Sequence, residues 1–323
     1  MRFFWKLLHT VSDSINSHTG KEYVMETIKR IDIHAHATAY PELVPANFYS
    51  HGRILGGEEL IEIYDKLNIE KGVLLPITAP ESQWITMTSE NCKVIADRHP
   101  DRFVWFCGVD PRMGSNNSVS KLSYLLHHYK SIGAKGLGEL TAQLYADDPM
   151  IDNLFSALEE NDMPVTIHIG PKFGDCYGIV DEIGLPRIEK MLKKHPNLKL
   201  LGHSQPFWAE ISDNVDSENR GGLPQGKVKE GRLIQLMREY GNLLCDLSAH
   251  SGMNAMRRDP EFAARFIEEF SDRIYYGCDV CAPMNTHQYE FNDFITKMLA
   301  DGMISETNFR KLVRDNAVKL LGL

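Results

Sequence analysis

Cysteine, positive charge, long apolar runs and glycine-rich nucleotide fingerprints are all scarce in this 323-residue sequence. The six cysteines are Cys92, Cys107, Cys176, Cys245, Cys278 and Cys281. Their spacing frames no disulfide scaffold, so they read as reduced thiols of a cytoplasmic protein. The one close pair, Cys278-Asp279-Val280-Cys281, lacks the second pair that a four-cysteine zinc site needs. Thirty-five Lys and Arg stand against 44 Asp and Glu, for a net charge of −9, which disfavours non-specific nucleic-acid binding. The apolar start, Met1–Leu8, is interrupted by Lys6. It is too short to span a bilayer and has no clear signal cleavage site. Residues 1–27 are expected to form an N-terminal extension, a leader helix packing on the body or on a partner, with no membrane partner. No GxGxxG follows the first strand-like run, which argues against a dinucleotide-binding sheet.

What is present is ordinary soluble composition, with 43% hydrophobic and 24% charged residues. Eight short apolar runs recur along the chain: Arg30–His36, Gly72–Ile77, Phe103–Val109, Ala134–Glu139, Pro164–Ile169, Leu198–His203, Asn242–Leu247 and Arg273–Asp279. They are rich in Ile, Val and Leu, as strands buried on both faces are. Amphipathic segments lie between them, such as Glu58–Leu67, Met150–Glu160, Leu233–Tyr240 and Phe262–Phe270, with apolar residues three and four apart. Pro149 and Pro260 suit helix first turns. Eight alternating units predict an α/β fold, a single-domain (β/α)8 TIM-like barrel over residues 28–323 that ends in a closing helix at Ser305–Leu321. Two long connections, Ala37–Gly57 and Ser204–Gly226, leave from strand C-terminal ends, where barrel active sites lie.

The strongest chemical signal is Ile31-Asp32-Ile33-His34-Ala35-His36. Residues two apart in a strand point the same way, so His34 and His36 present two imidazoles to one side, half of a metal site. Two satisfied strand histidines are the plain alternative. His168, His203 and Asp279 each end an apolar run. A lone buried histidine is usually structural. Five polar tips around one barrel mouth need shared partners, however, and a metal ion supplies them directly.

The motifs IDIHAH (Ile31–His36), VTIH (Val165–His168), LGH (Leu201–His203) and YGCD (Tyr276–Asp279) resemble those of the amidohydrolase superfamily. The similarity is to the branch that includes aminocarboxymuconate semialdehyde decarboxylase and resorcylate decarboxylase, and it runs over roughly residues 28–322. The resemblance implies that His34, His36, His168 and Asp279 bind the metal. It implies that Asp279 exchanges a proton with the metal's water and that His203 acts beside it as orienter or acid/base. Binuclear members often carry a carboxylated lysine on strand four. Here Lys135 lies roughly 13 Å below the mouth at ~3.3 Å per residue. Glu139 is within reach instead, to bridge a second ion, hold a water or pair with a loop cation. One ion is the favoured reading.

Around these residues, Asp32 is expected to be buried and paired with a cation such as Lys135. Trp208, with Phe207, would wall a substrate pocket or simply pack. Lys172, Arg187, Arg257 and Arg258 lie in or near loops where a cation could hold a substrate carboxylate, or be merely solvated. His250 is an unassigned pocket candidate. Zn²⁺ suits the donor set, with Mn²⁺, Fe²⁺ and Co²⁺ compatible. The expected partner is a small molecule bearing a carbonyl or carboxylate, and the chain could form a homodimer. The expected activity is metal-dependent hydrolysis of an amide, lactone or ester. Non-oxidative decarboxylation of a conjugated or phenolic acid is the alternative, and an inactive metal-binding scaffold the third reading.

Overall fold

The computed structural model describes residues 28–45, 52–81 and 87–323. The expected extension at residues 1–27, and residues 46–51 of the first long connection, lie outside the described residues. Eight parallel strands build the centre: β1 (Arg30–Ala35), β2 (Ile69–Leu74), β3 (Phe103–Trp105), β4 (Leu137–Leu140), β5 (Val165–Gly170), β7 (Leu200–His203), β8 (Leu243–Asp246) and β9 (Ile274–Tyr275). A short β6 (Ile179–Val180), which the sequence pattern did not predict, pairs with the end of β5. Every residue of β1, β4, β5, β7 and β8 is buried, as their continuous apolar character requires.

Ladders join β1-β2-β3 and β4-β5-β7-β8-β9. Backbone hydrogen bonds connect the two sheets on both sides. Lys135 N donates to Trp105 O at 2.9 Å and Cys107 N to Gly136 O at 2.8 Å. On the other side, Ile33 N donates to Tyr276 O at 3.0 Å and Asp279 N to His34 O at 2.8 Å. The result is the expected (β/α)8 barrel, with strands β2 and β9 shifted or shorter than the apolar runs suggest.

The outer helices include α1 (Gly57–Lys66), α2 (Ser89–Arg98), α3 (Leu122–Ser131), α4 (Pro149–Glu160), α5 (Pro186–Lys194), α6 (Gln205–Ala209), α7 (Arg232–Glu239), α8 (Ala249–Arg257), α9 (Pro260–Glu269) and α10 (His287–Ala300). In α4, Asp148 accepts from Met150 N and Pro149 occupies the first turn, while Ile151, Leu154, Phe155 and Leu158 turn inward. Asp259 and Pro260 start α9 the same way. Each such cap is worth about 1 kcal/mol and each fully buried Leu or Phe about 1.5–3 kcal/mol. The closing helix is divided into α11 (Glu306–Arg310), a π turn at Lys311–Asp315 and α12 (Asn316–Leu321). Ala317 and Leu321 of α12 cover an apolar cluster of Ile31, Ile33, Val73, Leu75, Phe106, Leu201, Leu244 and Tyr275. Among the described residues, no helix is long and apolar enough to cross a membrane.

Candidate metal centre

Parallel strands in a ring deliver their last residues to one mouth, and here those residues are polar. His34 and His36 come from β1 and its exit, Glu139 from β4, His168 from β5, His203 and Asp246 from the ends of β7 and β8, and Asp279 from just beyond β9. All except Asp279 are at most 5% exposed. Asp279 turns into the site through a left-handed backbone, φ +53°, a conformation that costs a non-glycine residue about 1–3 kcal/mol and tends to persist at functional positions.

His34 Nε2 and His36 Nε2 are 3.0 Å apart. Asp279 Oδ1 lies 3.5 Å from the first and 3.4 Å from the second. Glu139 Oε2 lies 4.0 and 3.6 Å from the same two atoms. The second nitrogen of each ring is already committed. His36 Nδ1 faces Leu75 O at 2.9 Å, and a carbonyl can only accept, so that nitrogen carries the hydrogen. His34 Nδ1 donates to Asp246 Oδ2 at 2.6 Å. Both Nε2 atoms are then bare lone pairs when the rings are neutral. Two bare nitrogens and two carboxylate oxygens converge with no donor between them, and a cation resolves the repulsion. Donors about 2.1 Å from one ion at tetrahedral angles sit about 3.4 Å apart, close to the spacings here. The residues therefore fit a divalent ion.

The electrostatics say the same. Burial alone would lower the pKa of His34, but Asp246, Asp279 and Glu139 outweigh it and raise it to about 10. Against the same effect of burial, Glu139 holds His168 up at about 9. Burial would raise Glu139, yet His168 and His34 draw it down to about 2. Asp279 is likewise held below the usual carboxylate range, by His34 and His36 against burial. His203 goes the other way: burial, reinforced by His34, lowers it to about 4, so it is neutral at pH 7.

His168 reaches this cluster through Glu139. Its Nδ1 is 2.6 Å from Glu139 Oε1, and its Nε2 is 3.9 Å from Cys176 Sγ. His203 Nε2 is 3.9 Å from Glu139 Oε1 and 3.8 Å from Asp279 Oδ2. Glu139 thus sits between two donor groups, one with His34 and His36, the other with His168 and His203. Asp246 went unremarked in the sequence. It ends Leu243-Leu244-Cys245-Asp246 as His203 ends its own run, and that same signal would have found it. It orients His34, lies 3.5 Å from His203 Nδ1, and accepts from Ser248 N. Ser248 Oγ adds a contact to His203 Nδ1 at 3.1 Å.

Three expectations are corrected. Trp208 is 2% exposed and donates from Nε1 to Asp246 O at 3.0 Å, so it is a core brace and not a pocket wall. Lys172 is 76% exposed, 3.9 Å from Asp175, and lines a neighbouring groove, not the metal cavity. Asp32 does not pair with Lys135. It accepts from Tyr64 Oη at 2.7 Å, His34 N at 3.0 Å and Cys278 N at 2.8 Å. His250 does line the cavity, which is about 440 Å³ in volume, and its ring leans on His287 at 4.5 Å. Among the described residues His287 Nδ1 has no hydrogen-bond partner, while its Nε2 donates to Cys278 O at 2.6 Å.

No curated protein sequence matches the chain. Solved structures do. A TIM-barrel protein from Bordetella bronchiseptica is 16% identical with a TM-score of 0.63, over 91% of this chain and 98% of that one. A probable 2-pyrone-4,6-dicarboxylic acid hydrolase from Acinetobacter baumannii, with citric acid bound, is 13% identical with a TM-score of 0.56, over 91% and 100%. The 5-carboxyvanillate decarboxylase of Novosphingobium aromaticivorans, complexed with manganese and 4-hydroxy-3-methoxy-5-nitrobenzoic acid, is 18% identical with a TM-score of 0.54, over 92% and 97%. At these identities the likeness shows the fold. The sequence match is more specific, for the amidohydrolase family model aligns with residues 86–323, well over half of the chain. On that span, and with the barrel its structural neighbours share, the chain belongs to the amidohydrolase family of enzymes.

Proposed function

We propose that this enzyme is a metal-dependent hydrolase that adds water to an amide, lactone or ester carbonyl of a small molecule. The convergence of two bare imidazole nitrogens and two carboxylates at the barrel mouth carries the reading. His34, His36, Asp279 and Glu139 would hold the ion, with Zn²⁺ proposed and Mn²⁺, Fe²⁺ or Co²⁺ compatible with the donors. This exchanges His168 for Glu139 relative to the sequence expectation and assigns His168 to bracing Glu139. A bound divalent ion would bring the pKa of a water toward ~7 and polarise a carbonyl oxygen.

The protein's own groups handle the protons. Asp279, ionised and with Oδ2 beside neutral His203, is placed to take a proton from the attacking water and return it to the leaving group. His203, held by Ser248 and Asp246, orients the reacting molecule. Asp246 keeps His34 in the tautomer that points Nε2 at the ion, a role that orienting carboxylates commonly play at metal sites.

Non-oxidative decarboxylation uses the same donors, and the fold shared with 5-carboxyvanillate decarboxylase keeps it the second reading. Among the described residues lining the metal cavity there is neither Lys nor Arg. A substrate carboxylate in this cavity would rest on the metal itself. Metal-loaded protein assayed on ester, lactone and amide panels is expected to turn over at least one class. Carbon dioxide release from aromatic acids, with no hydrolysis product from any panel, would replace this proposal with the second.

A further inference from the structure

We infer that the groove beside the metal cavity is a second subsite that takes an uncharged apolar arm of the substrate, aryl or alkyl. This rests on the hydrolytic reading and narrows its substrate class to carbonyl compounds with such an arm. The groove is about 940 Å³, roughly twice the metal cavity, and Asp175 lines both, so the two spaces adjoin. Three large apolar side chains stand half-open around it: Tyr145 at 42%, Phe173 at 46% and Ile183 at 46% exposed. Singly exposed apolar residues are ordinary, but several gathered on one concave surface mark a contact site. Phe173 meets Tyr145 edge-on at 4.8 Å, and Arg187 stacks 4.1 Å from the Tyr145 ring, which holds that ring in place.

The groove is also built, not incidental. Arg220, only 4% exposed, donates to Asp181 O at 2.6 Å and Glu182 O at 3.1 Å, and its Nε lies 3.6 Å from Glu210 Oε1. Glu210 Oε1 in turn accepts from Gly184 N at 2.9 Å. A buried ion pair adds little net stability but fixes geometry. Here it ties the loop after α6 to the segment after β6, the two walls of the groove. The charge at the rim selects the arm. Each cation at the groove already faces a carboxylate: Lys172 lies 3.9 Å from Asp175, Arg187 pairs with Glu182 at 2.8 Å, and Arg220 lies 3.6 Å from Glu210. Among the described residues an anionic arm would find no uncommitted cation there, and an uncharged arm needs none.

The test uses N-phenyl-1-naphthylamine, a neutral aromatic fluorophore, titrated into the metal-loaded full chain. One saturable site is expected, weakened at least tenfold in Phe173→Ala and in Tyr145→Ala. Both residues are nearly half exposed, and circular dichroism checks that the variants remain folded. Asp279→Asn, with its lesion at the metal, is expected to keep the probe site. Equal probe affinity in wild type and both aromatic variants would overturn the subsite. So would sedimentation showing a dimer that binds no probe because a second copy fills the groove. If the probe site behaves as expected while no ester, lactone or amide is hydrolysed, the subsite stands and the hydrolytic reading falls.

Discussion

Two buried polar clusters lie within a few residues of each other on β1, and they are built on opposite principles. Asp32 is closed on itself: three donors, from Tyr64, His34 and Cys278, satisfy its carboxylate. His34 and His36, two and four residues on, bring their Nε2 atoms within 3.0 Å of each other, and both are bare when the rings are neutral. The first arrangement is what a protein does with a buried charge it needs only for structure. The second is unfavourable without a cation, so it identifies the place where one belongs. Burial alone does not tell the two apart, since Asp32 and His34 are both 0% exposed. The count of partners does.

That contrast can be broken by mutation. Asp279→Asn should leave the fold intact and cut turnover by about two to four orders of magnitude, the usual cost of losing a general base. Near-normal kcat would remove Asp279 from the proton-transfer role. Asp246→Asn should weaken divalent-ion affinity by about 10–100-fold, as loss of an orienting carboxylate does, measured by competition with a chelating dye. Tyr64→Phe should act only on the closed cluster. It is expected to cost about 1–3 kcal/mol in urea unfolding, because it strips a donor from a buried carboxylate, while the metal content stays the same. A change in ion stoichiometry in that variant would show that the clusters are not separable.

The smallest effect is in pH. In chelated protein the folded-state pKa values of His34 and His168 are raised to about 10 and about 9, above the unfolded histidine value. Raised histidines contribute stability that is fully present below about pH 6.5 and is lost as pH climbs through their folded values. Chelated protein should therefore melt several degrees lower at pH 9.5 than at pH 7, and metal-loaded protein should show much less of that loss. Equal pH dependence with and without metal would mean that no ion takes the place of the His34 proton or draws on the Glu139 charge that holds His168 protonated.

Much of the open cluster was legible because strand chemistry is local. The two-residue period of Ile31–His36 brings His34 and His36 together, and polar residues ending apolar runs mark His168, His203 and Asp279 as strand tips. Asp246 carries the same mark at the end of Leu243-Leu244-Cys245. What local pattern does not contain is the partner across space. Tyr64, on α1, takes the place proposed for Lys135 beside Asp32 because the glycine at 72 leaves room for its ring, where a Cβ would lie 2.1 Å from Tyr64 Oη. Trp208 comes five residues after His203, and the short α6 turns it inward to Asp246. Which nitrogen of His168 meets Glu139 depends on ring orientation, which no spacing rule encodes.

Diffraction from zinc-loaded crystals on either side of the zinc absorption edge tests the central claim most directly. One anomalous peak is predicted per chain, about 2.1 Å from His34 Nε2 and His36 Nε2 and bonded to Asp279. No peak between those two rings, in protein that otherwise diffracts as this fold, would contradict it.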